Sequence, residues 1–168
     1  MIQVKLKLNK KVFLFILAFA FFLLGCFLSS QFLQPFLVLK VIDGDTIVAR
    51  VGFKNKTIRL LGIDTPEIKG PYTEEECFER EASKKTKNLL FKKRVYLLKD
   101  PNAPDRDKYG RLLRYVFLED GEFVNAKLVK EGYAFAYILE PIEFGRFFEE
   151  LEKEAKQKKL GLWGVCSF

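Results

Sequence analysis

From Phe36 to Arg50 the chain reads FLVLKVIDGDTIVAR, a β-branched run of mostly apolar residues cut by Asp43-Gly44-Asp45. This pattern predicts two strands around a tight turn at Gly44. Lys56 to Ile63 (KTIRLLGI) predicts a third strand with Arg59 inside it, ended by Asp64-Thr65-Pro66 because proline cannot continue a ladder. A polar loop follows, from Glu67 to Cys77. Between Glu79 and Phe91 the period changes: Ala82, Thr86, Leu89 and Leu90 fall on one side among lysines and acids, as on an amphipathic helix. Arg94 to Leu98 and Leu113 to Leu118 are strand-like and flank a loop with Pro101, Asn102, Pro104 and Asp105. Val124 to Lys130 predicts a second helix, ahead of Gly132. Phe144 to Lys159 predicts a third that stops at Gly161, after which Leu160, Leu162 and Trp163 tuck back onto the body. Five short strands, a helix after the third and two more at the end make an α+β fold: a five-stranded Greek-key barrel of the OB-fold type with three helices.

The N-terminus follows neither period. Val12 to Leu28 carries no charge over 17 residues, and Phe and Leu occur on every side of it, leaving no polar face for water. Lys5, Lys7, Lys10 and Lys11 precede it with no acid among them, which is the pattern of an export signal. The apolar stretch is long for a signal peptide and only just reaches the roughly 17 to 25 residues that span a bilayer. Three outcomes follow: cleavage, retention as a membrane anchor through residues 12–28, or lipid attachment at Cys26, since Leu23-Leu24-Gly25-Cys26 resembles a bacterial lipoprotein cleavage box. Residues 1–34 are thus expected to be a signal peptide or membrane anchor preceding a hydrophobic-cored domain at 35–168. The mature protein is expected to be secreted or extracytoplasmic, or anchored by its N-terminal segment.

The leader changes how composition is read. The formal charge of the 168 residues is +7, but four of the 29 basic residues precede residue 12 while all 22 acids lie beyond it, so the domain carries 25 − 22 = +3. A charge that small is compatible with a polyanionic partner and equally with an ordinary solvated surface. Histidine is absent, which excludes Ser-His-Asp triads, Cys-His nucleophiles and His-based zinc sites. Any general base is then a carboxylate, Lys or Tyr, and any metal site is built of oxygen, favouring Ca²⁺ or Mg²⁺. With Cys26 in the leader, Cys77 and Cys166 remain. In an oxidising exterior they could close a loop of about 90 residues; the alternative is two unpaired thiols.

Asp43-Gly44-Asp45-Thr46 and Asp64-Thr65-Pro66-Glu67 place two carboxylate pairs at strand ends. Each alone is ordinary turn chemistry. Arg59, inside an apolar strand, needs an anionic neighbour, because an unpartnered guanidinium is costly to bury. A third element, Asp107-Lys108-Tyr109-Gly110-Arg111, bends at glycine and delivers Arg111 to the next strand. Together these residues offer acids for a hard cation, a further acid for proton chemistry and two arginines able to grip phosphate.

VIDGDT (41–46), RLLGIDTPE (59–67) and DKYGR (107–111), in this order, resemble the motifs of the staphylococcal nuclease, or thermonuclease, family, and so do VNAKLVKEGYAFAY (124–137) and KLGLW (159–163). The resemblance spans about Leu37 to Trp163. It implies a Ca²⁺-dependent endonuclease that hydrolyses DNA and RNA, favours single strands and leaves 3′-phosphates, acting as a monomer. In that pattern Asp45, Asp64 and the backbone carbonyl of Thr65 ligate Ca²⁺, with Asp43 close by. Glu67 orients or deprotonates the attacking water, and Arg59 and Arg111 bind the scissile phosphate. Lys108, Tyr109 and Tyr137 hold the substrate, and Cys77 with Cys166 resembles a disulfide of exported bacterial members. Leu139 departs from the pattern, standing where a second tyrosine is usual. The alternatives are a non-catalytic OB-fold module that binds nucleic acid at the cell surface, and an anchored adhesin with a vestigial nuclease body.

Overall fold

The computed structural model describes residues 34–67 and 76–167. The expected N-terminal hydrophobic helix lies outside the described residues, as does most of the expected loop after Glu67. Among the described residues no helix is long and apolar enough to cross a membrane.

In chain order the elements are β1 (Phe36–Val41), β2 (Thr46–Val51), β3 (Lys54–Leu60), the two-residue β4 (Ile63–Asp64), α1 (Glu79–Leu90), β5 (Arg94–Leu98), β6 (Leu112–Leu118), α2 (Val124–Lys130), β7 (Phe135–Ala136), α3 (Gly145–Gln157) and the single-turn α4 (Leu162–Val165). Five strands close a barrel in the order β1-β2-β3-β6-β5, as the sequence pattern predicts. All pairings are antiparallel except β3 with β6, which run parallel with Ile58 opposite Leu112 and Leu60 opposite Arg114. A parallel pair needs a crossover, and the chain supplies it through α1 and β5. Alternation along the strands fills the barrel: Ile47 and Ala49 of β2, Ile58 and Leu60 of β3, Val38 of β1 and Val116 of β6 are fully buried. On the outside, α2 contributes Val124, Leu128 and Val129, and α3 contributes Phe148, to the same core. The buried apolar side chains of the described residues run from Val38 to Leu162, so the domain beginning near Pro35 carries its own core.

The third strand departs from expectation. KTIRLLGI reads as one run, yet β3 ends at Leu60 and the chain bends at Leu61-Gly62 before β4 pairs with β7. Gly62 adopts φ +78°, and a Cβ there would lie 2.5 Å from the Phe148 ring, so glycine is required for backbone and packing alike. Asn125 fixes the bend from α2. Its Nδ2 donates to the Leu61 carbonyl at 2.9 Å and its Oδ1 accepts from the Val116 N–H at 2.9 Å. The β7 partner carries no sequence signal, being two residues long. At the C-terminus Leu162 is fully buried and Trp163 packs edge-on against Phe135 at 5.3 Å, but Leu160 remains 38% exposed rather than tucking in, because its backbone closes the turn after α3.

Cys77 and Cys166 are joined by a disulfide, with Cα atoms 5.9 Å apart across 89 residues, tying the approach to α1 to the end of α4. Closing a loop of that length is worth roughly 4 to 5 kcal/mol in the chain-entropy model. Reductant is therefore expected to lower the urea midpoint of residues 35–168 by that equivalent; an unchanged midpoint means that the thiols are not bonded in solution. Asn125→Ala strands two buried backbone groups and is expected to cost about 2 to 3 kcal/mol by the same measurement.

Candidate active site

The site begins with a turn. Ile42 N–H donates to the Thr46 carbonyl at 2.8 Å, closing Asp43-Gly44-Asp45, and the Asp43 carboxylate accepts from Asp45 N–H at 3.0 Å. A Cβ on Gly44 would sit 2.5 Å from Thr65 Oγ1, so glycine lets the segment after β4 approach the turn. Thr86 of α1 holds the turn from the other side, its hydroxyl donating to the Gly44 carbonyl at 2.6 Å. These contacts put Asp45 beside Thr65, 20 residues away in sequence. The Asp45 carboxylate, 2% exposed, accepts from Thr65 N–H at 3.0 Å, from Thr65 Oγ1 at 3.2 Å and from Thr46 Oγ1 at 3.0 Å.

Strand register brings in the arginine. Thr46 pairs with Arg59, so Arg59, between the inward-facing Ile58 and Leu60, projects from the barrel wall next to Asp45. Its Nη1 lies 3.0 Å from Asp45 Oδ2 and donates to the carbonyls of Leu60 at 3.1 Å and Ile63 at 2.7 Å; its Nη2 meets Asp64 Oδ1 at 2.5 Å. One guanidinium thus bridges two carboxylates. It does not balance them. Burial, reinforced by Asp43 and Asp64, pushes the Asp45 carboxyl up to about 7 against the pull of Arg59, and burial raises Asp64 as well, with Glu67 and Glu76 adding to it. Apart from Arg59 the groups of the cluster are carboxylate, hydroxyl and carbonyl oxygens, the donor set of a hard cation such as Ca²⁺ or Mg²⁺. Among the described residues no group of three or more His, Cys, Asp or Glu side chains is placed to hold a metal ion.

Beside this cluster lies an open cleft of about 690 Å³. Arg59, Asp64, Glu67, Lys108, Tyr109, Arg111 and Tyr137 all line it. Asp45 and Thr65 stand behind Arg59, away from the cleft surface, and the disulfide is not part of its lining. The turn at Asp107–Gly110 presents three of the lining residues. Asp107 accepts from the N–H groups of Tyr109 and Arg111 and from Arg111 Nε at 2.6 Å. Burial alone would raise Asp107, but Arg111 and these two N–H groups hold it below the usual carboxylate range. Arg111 Nη1 reaches 3.4 Å from Thr46 Oγ1, linking this turn to the Asp45 turn. Tyr109 is 71% exposed, and two cations lie over its ring, the Arg111 guanidinium at 5.3 Å and Lys108 Nζ at 5.0 Å from the centroid. Glu67 is exposed at the mouth, its N–H donating to the Glu76 carboxylate at 3.1 Å. Leu139, 78% exposed, forms an aliphatic wall near Tyr137.

Two residues that sequence patterns do not mark position all this. Asp100, fully buried, accepts from Tyr115 Oη at 2.5 Å and from the N–H groups of Asn102, Ala103 and Glu143, pinning the loop that leads to Asp107. Arg106 lines the cleft one residue before the motif. An aspartate in a Pro-containing loop and an arginine among charges look like solvated surface, and only the tertiary contacts distinguish them.

A barrel that sets Arg59, Arg111, Asp64 and Glu67 around one open cleft, with Asp45 behind Arg59, has the layout of a phosphodiester hydrolase. Residues 57–165 match the family described as staphylococcal nuclease homologues. The chain is 42% identical over 131 residues to the thermonuclease of Staphylococcus intermedius, covering 77% of this chain and 76% of that protein. It is 38% identical over 137 residues to the thermonuclease of Staphylococcus hyicus, covering 81% and 79%. It is 42% identical over 131 residues to the endonuclease YncB of Bacillus subtilis, covering 77% of this chain and 61% of that protein. The chain belongs to the staphylococcal nuclease family and is a nuclease.

Arg59→Ala leaves Asp45 and Asp64 without their shared partner and is expected to cost about 3 kcal/mol or more. Arg111→Ala, at the partly exposed turn, is expected to cost at most about 1 kcal/mol. Urea unfolding of both variants checks this; equal costs would mean that Arg59 is not the internal tie.

Proposed function

We propose that this chain is an exported, Ca²⁺-dependent endonuclease that hydrolyses DNA and RNA, favours single strands and leaves 3′-phosphates. What carries the reading is the convergence of Arg59, Asp64, Glu67 and Arg111 on one cleft. Asp45, Asp64 and the Thr65 carbonyl would hold the cation, which supplies Lewis-acid polarisation of the phosphoryl oxygen when bound. Glu67, exposed and carboxylate-tipped in a protein without histidine, orients the attacking water and takes its proton. Arg111 keeps its Nη groups largely free of the Asp107 contact, and with Arg59 it binds the phosphate and stabilises the charge that grows on it. The exposed rings of Tyr109 and Tyr137 suit unpaired bases, since stacking tolerates any sequence. Cleavage of the 5′-side P–O bond follows the family resemblance.

Export rests on the basic residues before the apolar 12–28 stretch and on the Cys77–Cys166 disulfide, a bond kept in oxidising compartments. The leader then either is removed or tethers the enzyme to the membrane, and the barrel, with its own core, acts as a monomer.

Hydrolysis of single-stranded DNA by the purified protein is expected with Ca²⁺ and to vanish on chelation. Glu67→Gln should lower kcat by about 10² to 10⁴ with KM little changed. A Glu67→Gln variant with wild-type turnover at saturating Ca²⁺ would remove Glu67 from the mechanism.

A further inference from the structure

The cations of the cleft divide into two kinds. Arg59 is bound to Asp45 and Asp64, and Arg111 to Asp107 at 2.6 Å. Arg106 and Lys108 line the same cleft and stand apart from this pairing. Asp105, the acid next to Arg106, is spent elsewhere: Arg114 Nη2 grips its Oδ1 at 2.6 Å, while Arg106 Nε lies 3.8 Å from Oδ2, beyond hydrogen-bond reach. The Arg114 guanidinium, by hydrogen bond and by charge, holds Asp105 below the usual carboxylate range, with smaller pulls from the charges of Lys99 and Arg106. Lys108 is turned onto the face of Tyr109, its Nζ 5.0 Å from the ring centroid.

Arg106 is nevertheless fixed in place. It pairs across a β-bridge with Leu112, and its Nη1 donates to the Gly110 carbonyl at 2.6 Å, so the side chain spans the base of the Asp107–Gly110 turn. That bond uses one of five guanidinium N–H donors. The other donors belong to a half-exposed side chain on the cleft wall and, among the described residues, have no carboxylate in hydrogen-bonding range, the nearest being Asp105 Oδ2 at 3.8 Å. A guanidinium held in this way suits bidentate contact with phosphate.

We infer that Arg106 forms a second phosphate subsite, gripping the phosphate next to the scissile one, so that the enzyme selects polynucleotide over substrates with a single phosphodiester. This deepens the nuclease reading and rests on it. The scissile phosphate belongs to Arg59 and Arg111, which lie against the carboxylate cluster; the Arg106 contact lies outside the reacting centre and supplies binding that is the same in ground and transition states. Uniform binding of that kind appears in KM and leaves kcat alone.

The test compares wild type, Arg106→Ala and Arg106→Lys on a long oligothymidylate and on the dinucleotide TpT, with Ca²⁺ saturating and salt varied. Arg106→Ala is expected to raise KM for the oligonucleotide about tenfold with kcat within about twofold, and to leave TpT kinetics unchanged. Its plot of log(kcat/KM) against log[salt] for the oligonucleotide should be shallower by about 0.7, the loss of one single-strand phosphate contact. Arg106→Lys should keep the wild-type slope. Equal losses on both substrates would overturn the subsite and make Arg106 a brace for the turn through Gly110. An unchanged salt slope in Arg106→Ala would overturn it too. A wild-type protein that cleaves neither substrate would overturn the nuclease reading, and the subsite with it.

Discussion

Arg59 bridges Asp45 and Asp64 and at the same time satisfies the carbonyls of Leu60 and Ile63. Those four partners come from a turn before β2, the end of β3 and the start of β4. A guanidinium taken into a barrel wall has to be neutralised and its donors filled, or the cost runs to several kcal/mol. Meeting that demand forces the Asp45 turn against the Asp64-Thr65 segment. Glycine at 44 makes the approach close enough, and Thr65 completes it with two hydrogen bonds to the Asp45 carboxylate. The carboxylates of the proposed cation site are thus brought together by the same interaction that closes this side of the fold.

The neutralisation is incomplete, and the incompleteness is useful. A structural ion pair in a core is stable when charges match. Here burial, and to a lesser extent the neighbouring acids, raise both Asp45 and Asp64, so negative charge is costly on both. A divalent cation held at this site, as proposed, would lower that cost. Tight internal pairing also keeps Arg59 and Arg111 in place, the preorganisation that their proposed contact with a phosphoryl transition state would require.

Around this centre the apolar side chains that line the cleft, Leu60, Leu61, Ile63 and Leu113 among them, are backed by buried polar anchors. Asp100 ties the loop after β5 to Tyr115 and to the approach to α3, and Asn125 ties α2 to the bend after β3 and to β6. Each group is fully satisfied, the condition under which buried polar networks specify a single geometry. The turn that carries Tyr109 and Arg111 is therefore set by the core, although its tip is exposed.

The sequence by itself determined the elements and the chemistry. β-branched and apolar runs marked the five barrel strands, helical spacing marked α1, segments ahead of Gly132 and Gly161 marked α2 and α3, and the absence of histidine with three ordered acidic and basic motifs pointed to an oxygen-ligated cation and phosphate. Local periodicity and residue type are properties of short segments, so they can be read without the fold. Tertiary structure alone decided where β3 stops, because the break at Leu61-Gly62 answers to Phe148 and Asn125, far along the chain. It alone distinguished Asp45 and Thr65, buried behind Arg59, from the groups that face the cleft, and it alone gave Asp100 and Arg106 their parts. Such roles depend on what a side chain meets across long separations. Asp105 and Arg106 are adjacent charges in the sequence, yet Arg114 takes the acid and leaves the arginine to the cleft.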